Sequence, residues 1–256
     1  MNWSVCPSTE VENESPVTGY LGEPVTVVVP FSRPWRAESV QQNFERQDYE
    51  NKHLIVVENG EGVGYWKGPG EVLRSRVQTA GAAKNVALDE LRKRHGAARH
   101  LMAVMDDDDY YGARYLAEQV RFLQRGHHLV GKNTHFVIDR RGFWLVNPLV
   151  HDCSHPWCSG ATQAFNIQKV ERFIEKPTGE DLQFVRDASS RGTVLHLSTP
   201  FHYLWERRGM NHAYKGDTIK RAKNWGLQLV YLGQKPNYDV VDGKAPAKGS
   251  PAPPIF

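Results

Sequence analysis

Val25-Thr26-Val27-Val28-Val29-Pro30 is a β-branched run stopped by proline, and how it is read decides the fold. It has no polar alternation, so it reads as a strand covered on both faces, the usual state of a parallel sheet. Downstream, Val40 and Phe44 stand at i, i+4 spacing with Trp35 about one turn earlier, which predicts a helix. After a polar turn at Asp48–Asn51, His53-Leu54-Ile55-Val56-Val57 is a second buried strand. Strand, helix and strand in this order form a βαβ unit with a right-handed crossover.

The same alternation continues outward. A helix is expected over Ala82–Arg94, a third strand at Leu101-Met102-Ala103-Val104-Met105, and a helix carrying Leu116, Val120 and Leu123 on one face, closed by Gly126. Shorter strands follow at Leu129-Val130, His135–Ile138 and Phe143–Val146, then helical patches at Ile167–Glu175 and Asp181–Ala188. Residues 1–22 are polar and punctuated by Pro and Gly, and read as a flexible leader. Residues 233–256, with KAPAKGSPAPP, read as a Pro/Gly/Ala-rich extended tail. The expectation is an α/β fold in a single domain spanning 23–232, with a mostly parallel central sheet and flanking helices.

Composition narrows the function classes. The 256 residues carry 32 Lys+Arg against 29 Asp+Glu, a formal charge of +3, with 40% hydrophobic residues. That balance excludes a wholly disordered chain, and three cysteines do not suggest a disulfide scaffold. No apolar run approaches the ~20 residues of a membrane span, and the first residues lack a secretory signal's basic and apolar regions. A cytoplasmic location is expected.

The sharpest chemical feature is Met105-Asp106-Asp107-Asp108-Asp109-Tyr110-Tyr111. Four successive carboxylates repel one another, a placement that makes sense if a divalent cation, or a phosphate reached through one, is held there. Alternate residues at a strand end point the same way, so Asp106 and Asp108 can converge while Asp107 points elsewhere. Ligands of open α/β sheets sit at the carboxyl ends of strands, where this cluster falls. Glu58 and Asn59, at the end of the second strand, are placed to meet a nucleobase or ribose, although Asn59-Gly60 is also a turn signal.

In this order the pieces resemble the inverting GT-A glycosyltransferases that use nucleotide-diphosphate sugars (family 2-like). The matching segments are VTVVVPFSRP, LIVVENG, AGAAKNVAL, MDDDDYYG, WCSGATQAF and GEDLQFV, spread over roughly residues 24–215. The resemblance implies a GT-A fold, a donor that is a nucleotide-diphosphate sugar (a UDP-sugar favoured), and Mn²⁺ or Mg²⁺ as cofactor. It places Pro30, Phe31 and Ser32 along the nucleotide pocket, and Glu58 and Asn59 at the base or ribose. Lys84 and Asn85 stand where the family commonly has Arg-Asn; Lys84 offers a point charge without the guanidinium fork. Asp106 and Asp108 would meet ribose, metal and diphosphate, with His202 or His212 as a further metal ligand. Asp181 would be the general base that takes the acceptor hydroxyl's proton, with Glu180 beside it. Gly160 and Ala161 belong to the acceptor-side turn, and Trp157 would be a stacking platform there. Thr178-Gly179-Glu180-Asp181 is equally a helix start, with Thr178 as N-cap and Asp181 at the third position.

The remaining features are weaker. His151, Cys153, His155 and Cys158 could ligate zinc, but their spacing fits none of the common zinc patterns. Glu206–Lys223 is rich in Arg and Lys, as a solvated face would be, or a grip on a diphosphate or on a polyanion. The acceptor is left open among a glycan, a protein, a small molecule and a hydroxymethylated base in DNA. Two other functions compete: a sugar-nucleotide pyrophosphorylase, whose Gly-rich loop is missing from FSRPWRAES, and a non-catalytic carbohydrate- or nucleic-acid-binding protein.

Overall fold

A computed structural model describes residues 22–60, 63–148, 158–177, 179–192, 194–197, 202–206, 227–236 and 238–244. The central sheet has seven strands: β1 (Val25–Phe31), β2 (Lys52–Glu58), β3 (Glu71–Arg74), β4 (Leu101–Val104), β6 (Leu129–Lys132), β9 (Ala164–Asn166) and β10 (Val194–Leu197). Their order is β10-β6-β9-β4-β1-β2-β3. All neighbours run parallel except β9, which is antiparallel to β4 and β6.

Strand β1 is buried along its whole length because both of its faces are covered. Val25, Val27, Val29 and Phe31 point to one layer, with Val40 of α1 (Ala37–Glu45) and Leu116, Val120 and Leu123 of α3 (Tyr115–Gln124). Val28 points to the other, with Ala83, Ala87, Leu88 and Leu91 of α2 (Ala80–His95) and Phe184 and Val185 of α4 (Glu180–Arg191). The two-residue period of a strand thus divides one apolar run between two cores. Thr79 starts α2, its hydroxyl accepting from the Ala82 amide at 3.1 Å. Gly126, at φ +97°, closes the end of α3 as expected.

A second, five-stranded sheet lies in the order β12-β8-β7-β11-β5, from β5 (Tyr110–Tyr111), β7 (His135–Asp139), β8 (Gly142–Pro148), β11 (Tyr203–Glu206) and β12 (Leu227–Gly233). Its inner face packs Phe136, Ile138, Phe143 and Leu204 with Val241. Sequence patterning indicates β7 and β8 but not the sheet they build.

Three expectations need correction. Residues 167–175 are not helical but a turn and an extended stretch along α2. Side chains of α2 take the backbone groups that a helix would have used. The Arg92 guanidinium donates to the Ile167 and Val170 carbonyls, and Asn85 both donates to the Phe173 carbonyl and accepts from its amide. Secondly, the boundary at 233 does not begin a loose tail. Strand β12 runs to Gly233, and a one-turn helix, Tyr238–Val241, packs with Val241 fully buried. The Val241 carbonyl accepts from the His202 amide, and the Tyr110 hydroxyl bonds the Asp242 carboxylate at 3.0 Å. Thirdly, α4 starts at Glu180 with Gly179 as its N-cap at φ +79°, so Asp181 takes the second helical position. Thr178, the leader and the residues beyond 244 lie outside the described residues.

Candidate functional site

The loops after β1, β2 and β4 leave the sheet at one end because these strands are parallel and in register, Val28 opposite Val104 and Phe31 opposite Glu58. The aspartate quartet follows β4. Asp106, Asp108 and Asp109 each offer a carboxylate oxygen, and the three atoms lie within 4.8 Å of one another. Asp107 stands outside the group and accepts from the backbone amides of Ser32 and Arg33 at 3.0 and 3.1 Å, whereas Asp109, which strand alternation would set beside it, joins Asp106 and Asp108. It also pairs with the Arg33 guanidinium, whose Nη1 lies 3.1 Å from Asp108 Oδ2. Burial, with Asp108 and Asp106 adding to it, pushes the Asp107 carboxyl up to about 6 against the opposing pull of Arg33.

Asp109 joins the group through the second sheet. Its carboxylate accepts from the Tyr203 hydroxyl at 2.6 Å and from the Glu206 amide at 3.0 Å. Asn43 of α1 fixes the loop from the other side, donating to the Asp109 carbonyl at 2.7 Å and accepting from the Tyr111 amide at 3.1 Å. Three hard oxygen donors, all carboxylate, suit Mg²⁺ or Mn²⁺ rather than a thiophilic metal.

A chain of contacts leads from this loop to Asp181. The Asp106 amide donates to the Tyr111 hydroxyl at 2.7 Å, and that hydroxyl donates to the Ala161 carbonyl at 2.8 Å. Ala161 lies in the 3-10 turn Gly160–Thr162, which is buried throughout. A Cβ added at Gly160 would stand 2.7 Å from Asp181 Cβ and 3.0 Å from its Oδ2, so glycine is what lets the turn lie against that carboxylate. Asp181 is half-buried. Desolvation raises its pKa, Lys84 opposes the rise and Glu180 adds to it. Lys84, itself buried, sits 3.4 Å from Glu180 Oε1 and over the Phe173 ring.

Other expected site residues fall differently. Pro30 and Phe31 are buried within β1, Phe31 edge-on to Trp66, and Ser32, the residue after the strand, is half-buried. Glu58 is fully buried, and its carboxylate accepts from the Gly64 and Trp66 amides and from Arg74. Burial opposes its charge, but these three donors hold its pKa below the ordinary range. Glu58 therefore anchors the loop after β2, and the adjacent Asn59 keeps a side-chain oxygen with no hydrogen-bond partner. Asn85 is occupied with Phe173, as described above. His202 does not join the aspartates. Its backbone is pinned to Val241 and Gly112 at φ +65°, and its ring meets the charges of Glu118, Lys132 and Asp242. Burial pushes its pKa down. His212, Trp157, the His151–Trp157 part of the zinc candidate and most of the basic 206–223 segment lie outside the described residues. Cys158 is buried against Gly131, and desolvation drives its thiol far above the usual range, which keeps it neutral.

Sequence reasoning passed over Arg33, Asp109 and Tyr111. Arg33 directly follows the assigned Ser32, and a basic residue just past a strand end facing four aspartates was the available signal. Asp109 lies within the quartet the sequence singles out, but nothing local gives it or Tyr111 a separate role, since their partners Tyr203 and Ala161 are distant in the chain.

The arrangement is the GT-A fold: a mostly parallel sheet, an aspartate loop after its fourth strand, and a smaller sheet beside it. Among solved structures the chain is similar to S. aureus TarS (residues 1–349) in complex with UDP-GlcNAc, with a TM-score of 0.58 and 16% identity over 76% of this chain. The match covers 62% of that chain. A weaker likeness, with a TM-score of 0.47 and 13% identity, links it to glucosyl-3-phosphoglycerate synthase from Mycobacterium tuberculosis in complex with Mn²⁺, UDP and phosphoglyceric acid, over 80% of this chain and 75% of that one. No family model matches the sequence, and no curated protein matches it at the sequence level. Among the described residues no helix is long and apolar enough to cross a membrane.

Proposed function

We propose that the protein is a metal-dependent glycosyltransferase that moves a sugar from a nucleotide diphosphate, a UDP-sugar first among them, to an acceptor hydroxyl with inversion. The observation that carries this reading is the continuous contact from the aspartate trio through Tyr111 and the Gly160–Thr162 turn to Asp181. It sets a carboxylate group that could hold a cation and the half-buried Asp181 carboxylate against one turn.

Asp106, Asp108 and Asp109 would hold Mn²⁺ or Mg²⁺, which when bound supplies the positive charge that neutralises the leaving diphosphate. Asp107 does not ligate; it ties the β1 loop to the aspartate loop through Ser32 and Arg33. Asn59, buried at the end of β2 with an unpartnered side-chain oxygen, would have to be uncovered to meet base or ribose. Asp181 accepts the proton of the attacking acceptor hydroxyl. Desolvation raises its pKa, which makes it a stronger base than a solvated aspartate, and the Lys84 charge favours its ionised form. Glu180, held by Lys84, is positioned to orient the acceptor.

The test is donor binding followed by turnover. A panel of nucleotide sugars with Mn²⁺ should raise the melting temperature for one donor, and Asp181→Asn should then keep that shift while losing transfer. A protein that takes no nucleotide sugar in Mn²⁺ would end the proposal.

A further inference from the structure

Arg33 contacts two carboxylates that belong to different groups. Asp107 stands outside the trio and is held by the backbone of the β1 loop, whereas Asp108 is one of the three converging oxygen donors. Its Nη1 touches both, pairing with Asp107 and standing 3.1 Å from Asp108 Oδ2. Burial works against the Arg33 charge, but the attraction of Asp107, Asp108 and Asp106 outweighs it and holds the pKa above the ordinary value. Both carboxylates are nearly inaccessible, while the Arg33 side chain keeps 22% of its surface exposed, which leaves it room to move.

We infer that Arg33 is an exchangeable counter-ion of the aspartate trio: it neutralises Asp108 before loading, releases that carboxylate when the trio takes a divalent cation, and turns its guanidinium to the donor diphosphate. This rests on the donor-site reading above. Asp107 makes the exchange workable, because it keeps Arg33 tethered at the site after Asp108 is given up. Both carboxylate contacts run through the single Nη1, and the guanidinium fork suits a phosphate. Cation and nucleotide would therefore bind cooperatively, since a cation alone must displace Arg33 and a nucleotide gives Arg33 a new partner.

Calorimetric titration of Mn²⁺ alone, and of UDP in saturating Mn²⁺, tests this on the wild type, Arg33→Gln and Arg33→Lys. Removing a charge-assisted competitor should make Arg33→Gln bind Mn²⁺ alone roughly tenfold more tightly and UDP roughly tenfold more weakly. Arg33→Lys keeps the charge, and so the fold, but not the fork. It should leave Mn²⁺ affinity close to the wild type and weaken UDP. If Arg33→Gln binds Mn²⁺ no more tightly than the wild type, or if Arg33→Lys leaves UDP affinity unchanged, the counter-ion role is overturned while the donor site stands. If the wild type takes up neither Mn²⁺ nor UDP, the donor-site reading falls and this inference with it.

Discussion

The hydroxyl of Tyr111 joins the two halves of the site, and its removal is the sharpest test of that connection. The side chain is fully buried; the oxygen accepts from the Asp106 amide at 2.7 Å and donates to the Ala161 carbonyl at 2.8 Å. Tyr111→Phe keeps the ring, including its edge contact with Tyr115 at 4.9 Å between centroids, so packing is conserved. What changes is that a part-buried amide and a buried carbonyl both lose a partner. With a cost of about 1–2 kcal/mol for each group, the variant should lose about 2–4 kcal/mol. For a chain of this length that is a melting-temperature drop of roughly 4–16 °C. Tyr115→Phe is the control, since that hydroxyl is also buried but makes one longer bond, 3.3 Å to the Val104 carbonyl, and should cost about 1 kcal/mol. Urea unfolding gives both values on one scale. A loss below about 1 kcal/mol for Tyr111→Phe, or no difference from the control, would show that the hydroxyl does not bridge the aspartate loop and the Gly160 turn.

Further outcomes follow from the same geometry. Gly160→Ala sets a methyl against Asp181 at 2.7 Å; the carboxylate must shift, so turnover should fall at least tenfold while UDP affinity in Mn²⁺ stays within about twofold, and an unchanged rate would remove the close contact from the account. Because the base must be ionised, transfer should rise with pH through the raised pKa of Asp181, giving an acidic limb above the ordinary aspartate range that a pH–rate profile can place. The same shift has the opposite sign for stability. The fold favours the protonated form, so that contribution is present at low pH and is lost as pH rises through the folded pKa, and Asp181→Asn should flatten that part of the stability curve. Asn85→Ala frees both backbone groups of Phe173 and should cost about 2–3 kcal/mol, with the added exchange protection loss confined by hydrogen-exchange mass spectrometry to 167–176 and its contacts.

What could be read in the sequence was whatever the chain settles over short distances. Strands β1, β2 and β4 are legible because continuous apolar runs have few other uses, and the helix expected over Ala82–Arg94 falls within α2, although that expectation leaves out its Thr79 cap. The aspartate quartet is legible because so much like charge at a strand end has few structural reasons. The 167–175 segment misleads for a physical reason. Ile167, Val170 and Phe173 repeat at the spacing of a helix face, and they are buried like one, but Arg92 and Asn85 satisfy the backbone from outside. Strands β9, β11 and β12 are short or pair with partners far away in sequence, so their pairing depends on contacts that no local window contains. The roles of the histidine and of the missed residues divide in the same way: His202 is turned from the aspartates by a backbone pinned to Val241, while its neighbour Tyr203 reaches Asp109.

The claim on which the account depends is that the aspartate trio grips a donor's diphosphate through a cation, and calorimetric titration of UDP with Mn²⁺ and again with EDTA measures it directly. The account predicts binding in Mn²⁺ that disappears with EDTA and in folded Asp108→Ala. Equal UDP affinity under both conditions, or an Asp108→Ala variant that binds like the wild type, would contradict it.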